Sequence, residues 1–143
     1  MATAGQLQFT YAMKAHLLKG ELDLDGSNQA KLAIVTSSSN ISASSDLWSN
    51  VTGEISDSGY TTGGMNTTLS VGSAGTSVPI TMTSVSVTAI DGFVARYAVL
   101  YQNVSGQNYV IGYATLNSAG TDVTVGSGTT LNISCAGNLI TLS

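Results

Sequence analysis

The run FVARYAVLY, residues 93–101, is apolar at odd and even positions alike, with Arg96 the only interruption. Side chains of a strand point alternately to its two faces, so a strand apolar on both must be covered on both. The run predicts a central strand with material packed above and below it. Whatever else the chain forms must supply those two covers.

Candidates for the covers follow from Gly59 onward. TTLSV, VPITMTSVSVTAI, YVIGYATL, DVTV and TLNISCAGNLITL read as strands, separated by clusters of Gly, Asn, Ser and Asp. Within the second of these, Val78, Ile80 and Met82 share one parity, and Val85, Val87 and Ala89 share the other. Such a switch needs a bulge or a new strand near Thr83–Ser84. Upstream, KLAIVTS is a β-branched strand candidate, ELDLD alternates acid with leucine, and SSSNISASS is a polar loop. Only QLQFTYAMKAHLLKGELD has a helical period: Phe9, Ala12, Met13, His16 and Leu17 fall on one face. Gly20 is its expected stop, with Lys14 and Lys19 in the last turns, where the helix dipole favours cations. The fold class is therefore mainly β, an antiparallel β-sandwich or barrel with one short N-terminal helix. Residues 1–143 read as a single domain without an internal repeat.

Charge narrows the functions open to such a fold. Charged residues make up 8% of the chain, against about 25% in an average soluble domain. The polar remainder is mostly Ser, Thr and Gly, which cost far less to desolvate than unpaired ions. A surface of this kind suits a partner. With a net charge of −4 and three lysines and one arginine scattered along the chain, a phosphate backbone is not an expected partner. No apolar run has the length of a membrane span, and MATAGQLQFT lacks the form of a signal peptide. One cysteine, Cys135, cannot form an internal disulfide. These features suggest a chain made in, and left by, a reducing compartment.

Motifs for chemistry are incomplete. Glu21, Asp23 and Asp25 before Gly26 imitate the first half of a calcium loop, but Leu32 stands where that loop needs its bidentate glutamate. GYTTGG lacks the lysine and helix start of a phosphate loop, so Gly59, Gly63 and Gly64 read as turn glycines. His16 lies on the apolar helix stripe with no evident orienting acid, which suits a half-buried histidine better than a base. A dyad with Cys135 has little behind it, and no G-x-S-x-G turn is present. Five sequons, at Asn40, Asn50, Asn66, Asn103 and Asn132, mean little beyond polar surface without an export signal. No catalytic residue, metal or cofactor is expected.

Arg96 needs an acid, or must face a partner, because a lone buried guanidinium is too costly. Glu54, Asp57 and Asp91 are the available carboxylates. Two of these lie in the segment DLWSNVTGEISDSGYTTGG, residues 46–64, which also holds the only tryptophan. There Trp48 would anchor a turn over the sheet, Tyr60 would precede the glycine pair, and Glu54 and Asp57 are two of the acids open to Arg96. The segment reads as a fastening, not as a catalytic loop.

KAHLLKGELDLDGSNQAKLAIVTSS, DLWSNVTGEISDSGYTTGGMNTTLSV, ARYAVLYQN and YVIGYATLN together resemble a group of small tailed-phage virion proteins. Members carry a leading helix, a β-branched strand, a tryptophan-to-double-glycine segment, two tyrosine-bearing strands and a glycine-bearing C-terminal hairpin. The likeness covers most of residues 14–135, with GYTTGG and ARYAVLY its most specific parts. The chain departs from it at Asn50, where an acid is usual, and in carrying few later charges. The group is similar to capsid decoration (cement) proteins. It implies a non-enzymatic protein on the outer surface of the virion capsid, made in the host cytoplasm. The implied state is a homotrimer bound to the major capsid protein, with no nucleic acid or membrane involved. It favours Glu54 as the partner of Arg96, since both lie in the most specific segments. A tail or head-fibre component is the nearest alternative. A carbohydrate-binding β-sandwich, stacking sugars on Trp48 and tyrosines, is the reading from another class.

Overall fold

The computed structural model describes residues 6–25, 30–76, 78–134 and 140–142. Gly26 and Cys135, and with Cys135 the dyad reading, lie outside these residues. The chain starts with strand β1 (Gln8–Phe9) and helix α1 (Tyr11–Leu18). Thr10 sets the helix start: its buried hydroxyl accepts from the Met13 N–H at 3.1 Å and donates to the Val110 carbonyl at 3.0 Å. Gly20 ends the helix at φ +73°, letting the Glu21 N–H reach back to the His16 carbonyl. Met13 is buried, and Ala12, His16 and Leu17 are half-buried on the expected face, whereas Phe9 precedes the helix in β1.

The following strands are β2 (Ala30–Val35), β3 (Met65–Thr67), β4 (Leu69–Val71), β5 (Val78–Met82), β6 (Val85–Thr88) and β7 (Phe93–Ala95). After them come β8 (Tyr97–Val104), β9 (Gln107–Thr115), β10 (Val123–Val125), β11 (Thr130–Ile133) and β12 (Ile140–Leu142). A five-stranded sheet has the order β1-β9-β8-β2-β3, and every pairing in it is antiparallel. β10-β7, β11-β6 and β12-β5-β4 form smaller antiparallel sheets. The chain is thus mainly β with one helix, in a β-sandwich-like fold.

The central strand is β8, and alternation divides its side chains as expected. Ala98 and Leu100 join Leu32, Ile34 and Ile111 in a large core that extends to Leu69, Ile80, Val87 and Phe93 of the smaller sheets. Val99 and Tyr101 join Ala33, Val35 and Val110 in a second cluster on the opposite face. In β9 the register shifts between Leu100 and Tyr101, so Ile111 is the extra residue of a bulge. One consequence is a change of parity: Val110 before the bulge and Tyr113 after it belong to the same cluster. Gly112, just beyond, lies against β1, where a Cβ would come within 2.5 Å of the Gln8 carbonyl oxygen.

Two expectations change in detail, and a third is met in one of its two forms. FVARYAVLY is two strands, because β7 pairs with β10 and β8 enters the five-stranded sheet, with Arg96 at the crossing between them. The parity switch at Thr83–Ser84 is met by a strand break, β5 and β6 belonging to different sheets. ELDLD buries Leu22 and Leu24 but pairs with no strand. The fully buried Gln102 takes the place of a partner strand: its amide accepts from the Asp23 N–H and donates to the Asp23 carbonyl. One side-chain amide thereby satisfies both backbone groups that a ladder would have used.

Candidate functional site

Residues 36–64 leave β2, cross the second face of the five-stranded sheet, and return beside the end of β2. Backbone bonds fix both ends of the excursion: Thr36 N–H to the Gly53 carbonyl at 2.8 Å, and Ile55 N–H to the Ile34 carbonyl at 3.0 Å. At the far side the Val110 N–H reaches the Asp46 carbonyl at 2.7 Å. Between these points Trp48 opens a single 3-10 turn, Trp48–Asn50. Its indole stacks on the Tyr101 ring with centroids 5.0 Å apart and planes within 4°. Ile41 and Val51 pack on the same cluster. Trp48 therefore anchors a turn over the sheet, and the ring face turned to Tyr101 is closed to a sugar.

Glu54 is placed by its own bridge to Val35. Its Oε1 accepts from the Tyr60 hydroxyl at 2.7 Å and from the Gly63 N–H at 2.6 Å. The Tyr60 oxygen in turn accepts from the Ile34 N–H at 3.1 Å, and the Tyr101 hydroxyl donates to the Gly63 carbonyl. Burial, chiefly, raises the pKa of both phenols, and the Glu54 carboxylate beside them adds to it. Both remain protonated donors. Gly63 and Gly64, at φ +89° and +85°, provide the turn that makes this convergence possible. Gly59 has another reason for being glycine: a Cβ there would lie 1.9 Å from the Thr88 carbonyl oxygen.

The structure overturns the Arg96–Glu54 pair. Arg96 lies at the strand crossing with its side chain partly exposed, and its Nε donates to Asp122 Oδ1 at 2.8 Å. Glu54 is on the other side of β2's end, committed to Tyr60 and Gly63. Asp57 and Asp91 are also engaged elsewhere. The hydrogen bond to Asp122 raises the Arg96 pKa, against a smaller opposing effect of burial. An arginine flanked by apolar residues marks a buried position only if the strand continues through it, and here the strand does not.

The sequence offered Asp57 only as a possible partner for Arg96, and its actual role is different. Its carboxylate accepts four backbone N–H groups: Gly59 at 2.7 Å and Ile90 at 2.9 Å on Oδ1, Asp91 at 3.0 Å and Gly92 at 2.8 Å on Oδ2. Asp91 returns the contact by accepting from the Ser58 hydroxyl at 2.6 Å and N–H at 3.1 Å. The Ile90 bond above all, with the other three, holds the Asp57 carboxyl below its ordinary value despite burial. The Asp-x-Gly spacing, which lets an Asp oxygen reach the N–H two residues on, was the available signal.

His16 likewise has acids that sequence could not supply. Nδ1 meets Glu21 and Nε2 meets Asp46 Oδ1 at 2.8 Å, with the ring 4.1 Å from that of Tyr109. Burial works to lower the pKa of His16, but the two carboxylates outweigh it and raise the value. Through these two contacts His16 ties the helix to the loop at Asp46. Asn40 performs a similar office within the loop, donating to the Asn50 carbonyl and accepting from the Thr52 N–H. Among the described residues no group of three or more His, Cys, Asp and Glu is placed to hold a metal. Asp25, from the calcium-like segment, accepts from the Val71 N–H.

Trp48, Glu54 and Tyr60 thus converge on one fastening, and Arg96 belongs to a separate contact. A scan against protein-family models finds no match for this chain, and searches of curated proteins and of solved structures find none either.

Proposed function

We propose that this protein is a non-enzymatic decoration (cement) protein of a tailed bacteriophage. It binds the assembled head from outside, contacts the major capsid protein, and stabilises the junctions between capsomers, most simply as a homotrimer. The observation that carries this reading is the meeting of the two most specific segments of the phage-protein resemblance. Tyr60 and Gly63 of GYTTGG close on Glu54 and on Tyr101 of ARYAVLY. The residues that mark the likeness act together to hold a loop on a sheet, which is the work of a surface-forming module. Low charge supports the same reading, since neutral groups engaged at several subunits at once multiply weak affinities without a large desolvation cost.

The test mixes purified protein with undecorated, expanded capsids and with dissociated capsid subunits, at low and high salt. Saturable binding to capsids, little binding to free subunits, a modest salt effect and greater resistance of coated particles to heat are expected. Equal binding to free subunits, or labelling of tails and fibres with bare heads, refutes the head reading.

A further inference from the structure

His16 is the only histidine of the chain, and the fold puts a carboxylate on each of its ring nitrogens. Glu21 meets Nδ1, and Asp46 Oδ1 meets Nε2 at 2.8 Å. A neutral imidazole has one N–H and one lone pair, and an ionised carboxylate can only accept. Both contacts are therefore hydrogen bonds only while the three groups share one proton more than a neutral ring between two ionised acids. Without that proton, a ring lone pair faces a carboxylate oxygen. The ring has little room to turn aside, its side chain being 14% exposed with the Tyr109 ring of β9 4.1 Å away.

Glu21 and Asp46 are not equally free to leave. The Glu21 N–H is bonded to the His16 carbonyl at 2.9 Å, which keeps this residue beside the ring in the turn that ends α1. Asp46 comes from a loop thirty residues away in sequence. Its side chain is the more exposed of the two, 50% against 40%. It also borders a cavity of about 260 Å³ lined in part by Ser42, Ser44, Ser45 and Asn50, whose hydroxyls and amide offer donors to a carboxylate turning away. Backbone bonds hold the surroundings separately: the Tyr11 N–H on the Ala43 carbonyl at 2.8 Å, and the Val110 N–H on the Asp46 carbonyl at 2.7 Å. Loss of the Asp46 side-chain contact would thus loosen the junction without dismantling the sheet.

We propose that His16 is a proton-operated latch between α1 and the loop 36–64. With the extra proton the ring holds both carboxylates; without it Asp46 lets go, and the junction opens more often. Among the described residues, Glu21 from the turn after α1 and Asp46 from the loop are the charged groups acting on the ring, and Tyr109 is the titratable group packed on it. Burial lowers the His16 pKa, and the two carboxylates more than offset this. The latch therefore opens as pH rises past a midpoint above about 6.5. This device is independent of the head-binding reading.

NMR of the unaltered protein tests it, since one histidine gives one set of imidazole signals. The ring nitrogens should titrate with a midpoint above about 6.5, leaving a neutral ring protonated on Nδ1, the nitrogen that keeps Glu21. Nuclear Overhauser contacts from the ring to the Asp46 side chain should be present below the midpoint and lost above it, with those to Glu21 kept throughout. The Ser45 N–H, bonded to the Ser42 carbonyl, should exchange about fivefold faster above the midpoint than below, after correction for the intrinsic effect of pH. In Asp46→Asn the amide can accept from Nε2–H or donate to bare Nε2, so the contact should persist across the titration and the acceleration should vanish. A ring contact to Asp46 that survives the titration in wild type overturns the latch. So does a neutral ring protonated on Nε2, which would release Glu21 instead. Unchanged Ser45 exchange in wild type, or equal acceleration in Asp46→Asn, overturns it as well.

Discussion

One face of the five-stranded sheet is covered by other strands, and the opposite face by the loop 36–64. The two covers solve the same problem with different materials. On the first face Leu32, Ile34 and Leu100 meet Leu69, Ile80 and Val87, each set aligned by simple alternation along a strand. Backbone groups there are satisfied by the ladders themselves. On the second face the loop has no ladder, so side chains must satisfy and orient it: Glu54, Tyr60, Asn40 and Tyr101 each bond to loop backbone or to one another. Strand cover depends on pattern, loop cover on particular residues.

The largest effect should come from the strand-covered side. Leu100→Ala should cost about 2–5 kcal/mol in denaturant unfolding, because a fully buried leucine leaves a cavity between rigid sheets. A loss below that of any single loop substitution would break the distinction drawn here.

Glu54→Ala comes next, at about 1–3 kcal/mol, since it strips the Gly63 N–H and Tyr60 hydroxyl of their acceptor in a partly buried site. Tyr60→Phe should destabilise as well, and the double change should cost less than the sum of the singles. Trp48 fluorescence offers an independent view, shifting toward the spectrum of exposed indole if the loop lifts. Strict additivity would mean that the two side chains do not act as one fastening.

Asp57 sharpens the comparison through pH. Its carboxyl titrates lower in the folded chain than in the unfolded one. Its contribution is therefore present above the ordinary carboxylate value, near pH 4, and is lost as pH falls through the lowered folded value. Thermal melts of wild type should drop across that acidic window, and those of Asp57→Asn should drop less. Parallel curves for the two proteins would contradict the assignment.

His16 should produce a smaller effect of opposite sign. Its pKa is raised on folding, so its contribution is complete below about pH 6.5 and disappears as pH rises through the raised value. His16→Gln should flatten the dependence of stability on pH above about 6.5. Arg96→Ala should have the least effect, its partly exposed pair with Asp122 being of the kind that contributes little. A melting temperature well below wild type for this variant would show that the crossing between β7 and β8 depends on the pair.

Local physics determined much of this protein from sequence alone. Alternation is a property of the strand itself, so the two-faced run at residues 93–101 and the break at Thr83–Ser84 could be read without knowing any neighbour, whereas ELDLD alternates but pairs with no strand. Helix periodicity and a glycine stop placed α1 for the same reason. The size and flatness of Trp48 marked it as an anchor, though not which ring it would meet. Partnerships between distant polar groups were decided only by the tertiary structure. Asp122 rather than Glu54 holds Arg96 because the chain changes sheets at that residue, and a change of sheet leaves no trace in the composition of the run. Asp57 reaches Ile90, Asp91 and Gly92 across more than thirty residues of sequence, and His16 finds Asp46 in a loop thirty residues away. Such bonds depend on where two turns come to rest, which follows from the packing of the whole chain.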